Sequence, residues 1–148
     1  MRTITLFTAQ LLWLVAISAQ AQDAASTMPR TAAPADAEAY IQSPADGAEI
    51  TSPFIVRFGL RGMGVAPAGV TAANTGHHHL LIDVDTLPPD NEPMPSTDQI
   101  RHFGAGQTET ELDLPPGVHT LQLALGDALH IPHLPPVRSE KITITVVE

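Results

Sequence analysis

Apolar residues fall on alternate positions in five stretches of this chain. Such alternation marks a strand with one face buried. In residues 54–60, Phe54, Val56, Phe58 and Leu60 alternate with Ile55, Arg57 and Gly59. In residues 77–85, His78, Leu80, Ile82 and Val84 share one side, and His77, His79, Leu81, Asp83 and Asp85 share the other. Thr110, Leu112 and Leu114 alternate with acidic residues in 107–114. His119, Leu121, Leu123 and Leu125 take the inward positions of 119–125, and Ile142, Ile144 and Val146 those of 141–147. The pattern predicts a core containing Leu80, Ile82, Val84, Leu121, Leu123, Leu125, Ile142 and Ile144.

Between these stretches the residues favour turns. Pro44-Ala45-Asp46-Gly47 places Pro and Gly where a tight turn uses them. Gly62, Gly64, Pro67 and Gly69 exclude regular structure from the long loop at 61–75. Pro88, Pro89, Pro93 and Pro95 exclude a central strand from residues 86–101. Pro115-Pro116-Gly117 makes a tight connection, and residues 127–137 form a loop carrying His130, Pro132, His133, Pro135 and Pro136. No amphipathic helical period of useful length follows residue 21. Short strands separated by Pro and Gly turns predict an all-β domain, an antiparallel immunoglobulin-like β-sandwich. In such sandwiches a tyrosine commonly holds the corner before the sixth strand. His119 takes that position here, so its expected role is structural.

The first 21 residues stand apart. Arg2, the apolar run at 6–17 and Ala19-Gln20-Ala21 form the three regions of a signal peptide, with cleavage expected after Ala21. The apolar run is too short for a comfortable membrane span, so none is expected after cleavage. The chain is then periplasmic or secreted. Residues 22–39 are rich in Ala, Pro, Ser and Thr and read as a flexible linker. The domain is expected at 40–148. With no cysteine, no disulfide staples it and no thiol chemistry is available. All 16 acidic residues follow Ala21, against six of the seven Lys and Arg, since Arg2 precedes it. That balance argues against nucleic acid as a partner.

The candidate chemistry lies in the histidines. All seven fall between residues 77 and 133. On a strand, His77 and His79 project from one face with Cα atoms about 6.7 Å apart, close enough to share an ion. The loop before residue 77 and the loop after residue 125 share one end of an immunoglobulin-like sandwich. His77 and His79 should therefore meet His130 and His133 there, with Asp127 beside them and His78 at the same end. His102 reaches that end only if a further strand precedes it. His119 lies at the other end and is excluded. Met63 reads as a gap-filling hydrophobe rather than a soft ligand. Imidazoles with a carboxylate and no thiolate suit zinc or Cu(II). Three such ligands leave a position open, and a fourth closes it.

Two readings of the function follow. One is a metal-binding module for copper or zinc, with metal ligands drawn from His77, His79, His130, His133, Asp127, His78 and His102. The alternative is a non-catalytic module that docks a protein or envelope polymer through the same loops, the histidines packing structurally. Catalysis ranks below both. Glu109 and Glu111 lie on a strand face with nothing to mark either as a base, and there is no nucleophile elbow or phosphate loop.

Five segments resemble a family. They are Pro-Ala-Asp-Gly-Ala, Gly-Met-Gly-Val-Ala-Pro-Ala-Gly, Thr-Gly-His-His-His-Leu-Leu-Ile-Asp, His-Phe-Gly-x-Gly-Gln-Thr-Glu and Pro-Pro-Gly-x-His-Thr-Leu-Gln-Leu. Together, over residues 40–147, they are similar to the exported bacterial domains of unknown function numbered 4399. The resemblance implies export and the domain's extent, and makes the histidine-bearing segments the family's signature. It implies no mechanism.

Overall fold

The computed structural model describes residues 28–148. The expected signal peptide and its cleavage site lie outside the described residues. Nine strands follow in order: β1 (Glu38–Ser43), β2 (Glu49–Thr51), β3 (Phe54–Arg61), β4 (Gly64–Val65), β5 (Thr75–Ile82), β6 (Ile100–His102), β7 (Glu109–Leu112), β8 (Gly117–Gly126) and β9 (Ile142–Val147). The described residues contain no helix, and so none long and apolar enough to cross a membrane.

The strands form two sheets. One runs β1-β3-β7; the other runs β2-β9-β8-β5-β4, with β6 also paired to β5. Pairing is mixed rather than wholly antiparallel, because β2 runs parallel to β9 and β4 parallel to β5. The turn after β1 carries the chain to the other sheet, so β2 meets β9 rather than returning along β1. The 66–74 loop likewise brings β5 back beside β4 in the same direction.

The alternation read from the sequence fills the space between the sheets. Val56 and Phe58 of β3 and Leu112 of β7 face Leu80, Ile82, Leu121, Leu123, Leu125, Ile144 and Val146 of the larger sheet. Fully burying each such side chain is worth roughly 1.5–3 kcal/mol. Of the eight expected core residues, Ile142 is only partly buried, and Val84 lies elsewhere. Asp83 has φ 54°, which ends the strand and turns Val84 towards the side of Leu81. There Leu81, Val84, Met94, Ile100 and Ala124 form a second cluster on the outer face of the larger sheet. Residues 83–99 thus roof that face, and β5 is buried on both sides from Gly76 to Ile82.

Residues 31–33, within the stretch expected as a linker, lie beside residue 134. Ala33 N donates to Leu134 O and Leu134 N to Thr31 O, each at 2.9 Å.

Candidate metal centre

The roofed outer face holds His77 and His79. Both side chains point there because they alternate with His78 and Leu80, which face the core. They are 1% and 0% exposed. Room for their rings comes from β8, where Gly126 opposes His77 and Ala124 opposes His79. A Cβ on Gly126 would stand 2.8 Å from Cε1 of His79 and 3.2 Å from Cα of His130. On the other side of β5, the short β6 sets His102 directly opposite His79. The His102 ring packs over Gly104, where any Cβ would collide with it.

The fourth ring arrives from the loop after β8. His130 has φ 67°, and its Nδ1 lies 3.0 Å from Nε2 of His77. The ring centroids of His77, His79, His102 and His130 are 4.7–5.9 Å apart. One nitrogen from each falls within 4.8 Å of the other three. Four nitrogens bound to one ion at about 2.0–2.1 Å stand roughly 3.3 Å apart in a tetrahedron, so modest ring movements close the set. His102 and His130 are less buried than His77 and His79, so the pocket opens to solvent on that side.

Burial favours the neutral form of His77, His79 and His102. It is the main cause that lowers His77 to about 4, helped by His130 and His102 and opposed by Asp127. Burial, then His77, His102 and His130, lower His79 to about 3. His102 is lowered too, first by burial and then by His130. Neutral imidazole is the form that binds metal. His79 adds a second sign: both its ring nitrogens are buried without a hydrogen-bond partner. Leaving such a group unpaired costs about 1–3 kcal/mol, and natural folds rarely accept that cost without a reason.

Three other candidates lie apart from these four rings. His78 faces the core, its ring 5.3 Å from that of Phe58, and burial lowers its pKa to about 4. His133 sits under β5 on the core side. Its Nε2 is 3.2 Å from Thr75 O, and a Cβ on Gly76 would stand 2.9 Å from its Cε1. Three residues after His130, the chain has crossed from the outer face to the core face. Asp127 is buried, but its Oδ1 accepts from Leu129 N at 2.9 Å and Ile131 N at 3.0 Å, and its Oδ2 accepts from Thr31 Oγ1 at 2.7 Å. With these bonds made, its oxygens are occupied by the loop and not by the four rings.

His119 has the structural place expected for it. Its Nδ1 donates to Asp83 Oδ2 at 2.8 Å and its Nε2 to Pro115 O at 2.9 Å. What the sequence reading missed were the small residues, Gly126, Ala124 and Gly104, that make room for the rings. The cue was present for one of them: Gly104 stands two residues after His102.

Chemically, the arrangement offers four imidazole nitrogens and no carboxylate among them. Glu109 and Glu111 lie on β7 in the opposite sheet, where Glu109 pairs with Arg57 at 3.2 Å. Neither glutamate therefore belongs to the group of four rings. A family model described as a domain of unknown function (DUF4399) matches residues 56–147. No curated protein and no solved structure matches the chain.

Proposed function

We propose, for a chain that belongs to the DUF4399 family and so to a description that names no activity, that this domain binds a transition metal ion. Copper or zinc is the ion, and His77, His79, His102 and His130 hold it. The observation that carries the reading is His79. Its two ring nitrogens are buried and unpartnered, amid three more imidazoles whose nitrogens lie within 4.8 Å of its own. All-imidazole sets suit both ions. Four protein donors close a zinc site, and that supports holding or carrying the metal rather than hydrolysis.

Two further parts of the reading are also proposals. The order β1-β3-β7 against β9-β8-β5 supports an immunoglobulin-like sandwich, whose sheets run A-B-E and G-F-C apart from the fourth strand of the first. The leader at residues 1–21 supports export to the periplasm or beyond, and the intact mass of the exported form checks cleavage after Ala21.

Calorimetric titration of the tag-free protein with Cu(II) and Zn(II) tests the metal. One ion per chain is expected. His79→Ala should weaken binding by more than the roughly 10–100-fold that changes outside a ligand shell cost. His119→Ala should leave it unchanged. Equal, weak responses in all three proteins would sink the reading.

A further inference from the structure

We propose that Asp127 is a positioning residue for the metal centre, held in turn by Thr31. It shapes the loop that presents His130 and does not itself bind the ion. The proposal rests on the metal reading above.

His130 carries the argument. Its φ of 67° is left-handed, a conformation that costs a side-chain-bearing residue about 1–2 kcal/mol. Something must hold it there, and the bonds converge on Asp127. The carboxylate Oδ1 accepts from Leu129 N and Ile131 N, the amides on either side of His130. The His130 amide itself donates to Asp127 O at 2.9 Å, and Asp127 N donates to Ile131 O at 2.9 Å. Asp127 thus makes four of the bonds around the left-handed turn, and one more ties His130 O to Met94 N at 2.9 Å.

The other carboxylate oxygen ties this turn to a remote part of the chain. Thr31 Oγ1 donates to Asp127 Oδ2 across 96 positions of sequence. Thr31 is itself fixed, because its carbonyl accepts from Leu134 N, while Ala33 N donates to Leu134 O. Arg30 adds Nε to Pro132 O at 3.0 Å and Nη2 to His133 O. Residues 30–33 therefore strap the loop from outside, and Asp127 transmits that restraint to the ring that completes the site. Outer-shell groups of this kind commonly change metal affinity 10–100-fold.

Full-length variants separate positioning from ligation and from simple charge. Asp127→Ala should weaken Cu(II) binding about 10–100-fold. Its electron paramagnetic resonance spectrum should match that of His130→Ala, with one nitrogen fewer on the copper. Asp127→Asn should recover most of the loss. Its amide oxygen still accepts from both backbone amides, and its nitrogen donates to Thr31 Oγ1. In a His130→Ala background, Asp127→Ala should have no further effect on affinity. A full additional loss there, or an Asn variant as weak as the Ala variant, overturns positioning in favour of direct ligation or charge. Amide hydrogen exchange in metal-free protein gives a second readout. Asp127→Ala and Thr31→Val should speed exchange at Leu129 and Ile131 but not in β5 and β8, and unchanged exchange at those two amides overturns the proposal. If the wild type takes up no metal, the metal reading fails, while the exchange result still decides whether Asp127 holds the turn.

Discussion

A Cβ at position 126 would stand 2.8 Å from Cε1 of His79, closer than side chains pack, and 3.2 Å from Cα of His130. The site therefore depends on a missing atom as much as on the four rings. Gly126→Ala is predicted to push His79 and the His130 turn outward together, at an overpacking cost of about 1–3 kcal/mol. Metal affinity should fall with it. Gly64→Ala is the matched comparison, since a Cβ there meets nothing nearer than 3.7 Å, an ordinary contact. Chemical denaturation and calorimetric titration of both variants check this. A Gly126→Ala protein as stable and as metal-competent as Gly64→Ala would show that the rings have slack the structure does not indicate. His79 illustrates the same dependence from the other side, because both its ring nitrogens are buried without a hydrogen-bond partner.

Among the elements, the join between the end of β5 and the start of β8 makes a pH-dependent clamp. Both oxygens that face His119, Asp83 Oδ2 and Pro115 O, only accept, so a ring that donates to both must be the imidazolium. The bond to Asp83 is the main cause that raises the His119 pKa. The folded pKa lies above the unfolded value near 6.5. The stability this gives is therefore fully present below 6.5 and is lost as pH rises through the folded value. His119→Ala is predicted to cost about 1.5–3 kcal/mol at pH 5.5, the worth of a hydrogen bond to a charged group, and less at pH 8.5. Urea melts at the two pH values measure it, and an equal loss at both would contradict the clamp.

The same elements mark what could be read from the sequence. Alternation placed Leu80, Leu121, Leu123, Leu125 and Ile144 in the core, and strand parity put His77 and His79 on one face together. Alternation could not say that the second face is interior too. That depends on residues 83–99 folding back as a roof, with Met94 and Ile100 supplied from distant sequence. β6 was hidden because three residues, Ile100–His102, are too few to show a period after a proline-rich run. Its pairing, set by tertiary contact, is what brings His102 opposite His79. His130 and His133 looked equivalent in spacing. The left-handed turn at His130 separates them onto opposite faces of the sheet, and nothing in the residue types announces that turn.

For the whole molecule, the histidines pull against one another as pH changes. Burial lowers His77 and His78 to about 4 and His79 to about 3. Their folded values lie below the unfolded value near 6.5, so the unfolded chain binds their protons first. Stability they permit is present above 6.5 and is lost as pH falls towards 4, with a slope of up to about 1.4 kcal/mol per pH unit for each group. His102 is lowered as well, so His119 works in the opposite direction as one against four, and the metal-free protein should lose stability on acidification. A metal ion should change this selectively. Bound to the folded state, it would hold His77 and His79 in the neutral form, so the melting temperature should rise with the logarithm of metal concentration and acid unfolding should move to lower pH. His78 lies on the core side with both ring nitrogens unpartnered, so metal leaves its acid sensitivity in place. His78→Leu removes a buried imidazole with no bonds to lose and fits an apolar side chain beside Phe58. It is predicted to stabilise the protein more at pH 5 than at pH 7.5, to shallow the acid slope with and without metal, and to leave one-ion binding intact. Thermal melts across pH 4.5–8, with and without Zn(II), make the comparison. Loss of metal uptake in His78→Leu would place that ring in the centre and undo the division of the three consecutive histidines between the two faces of β5.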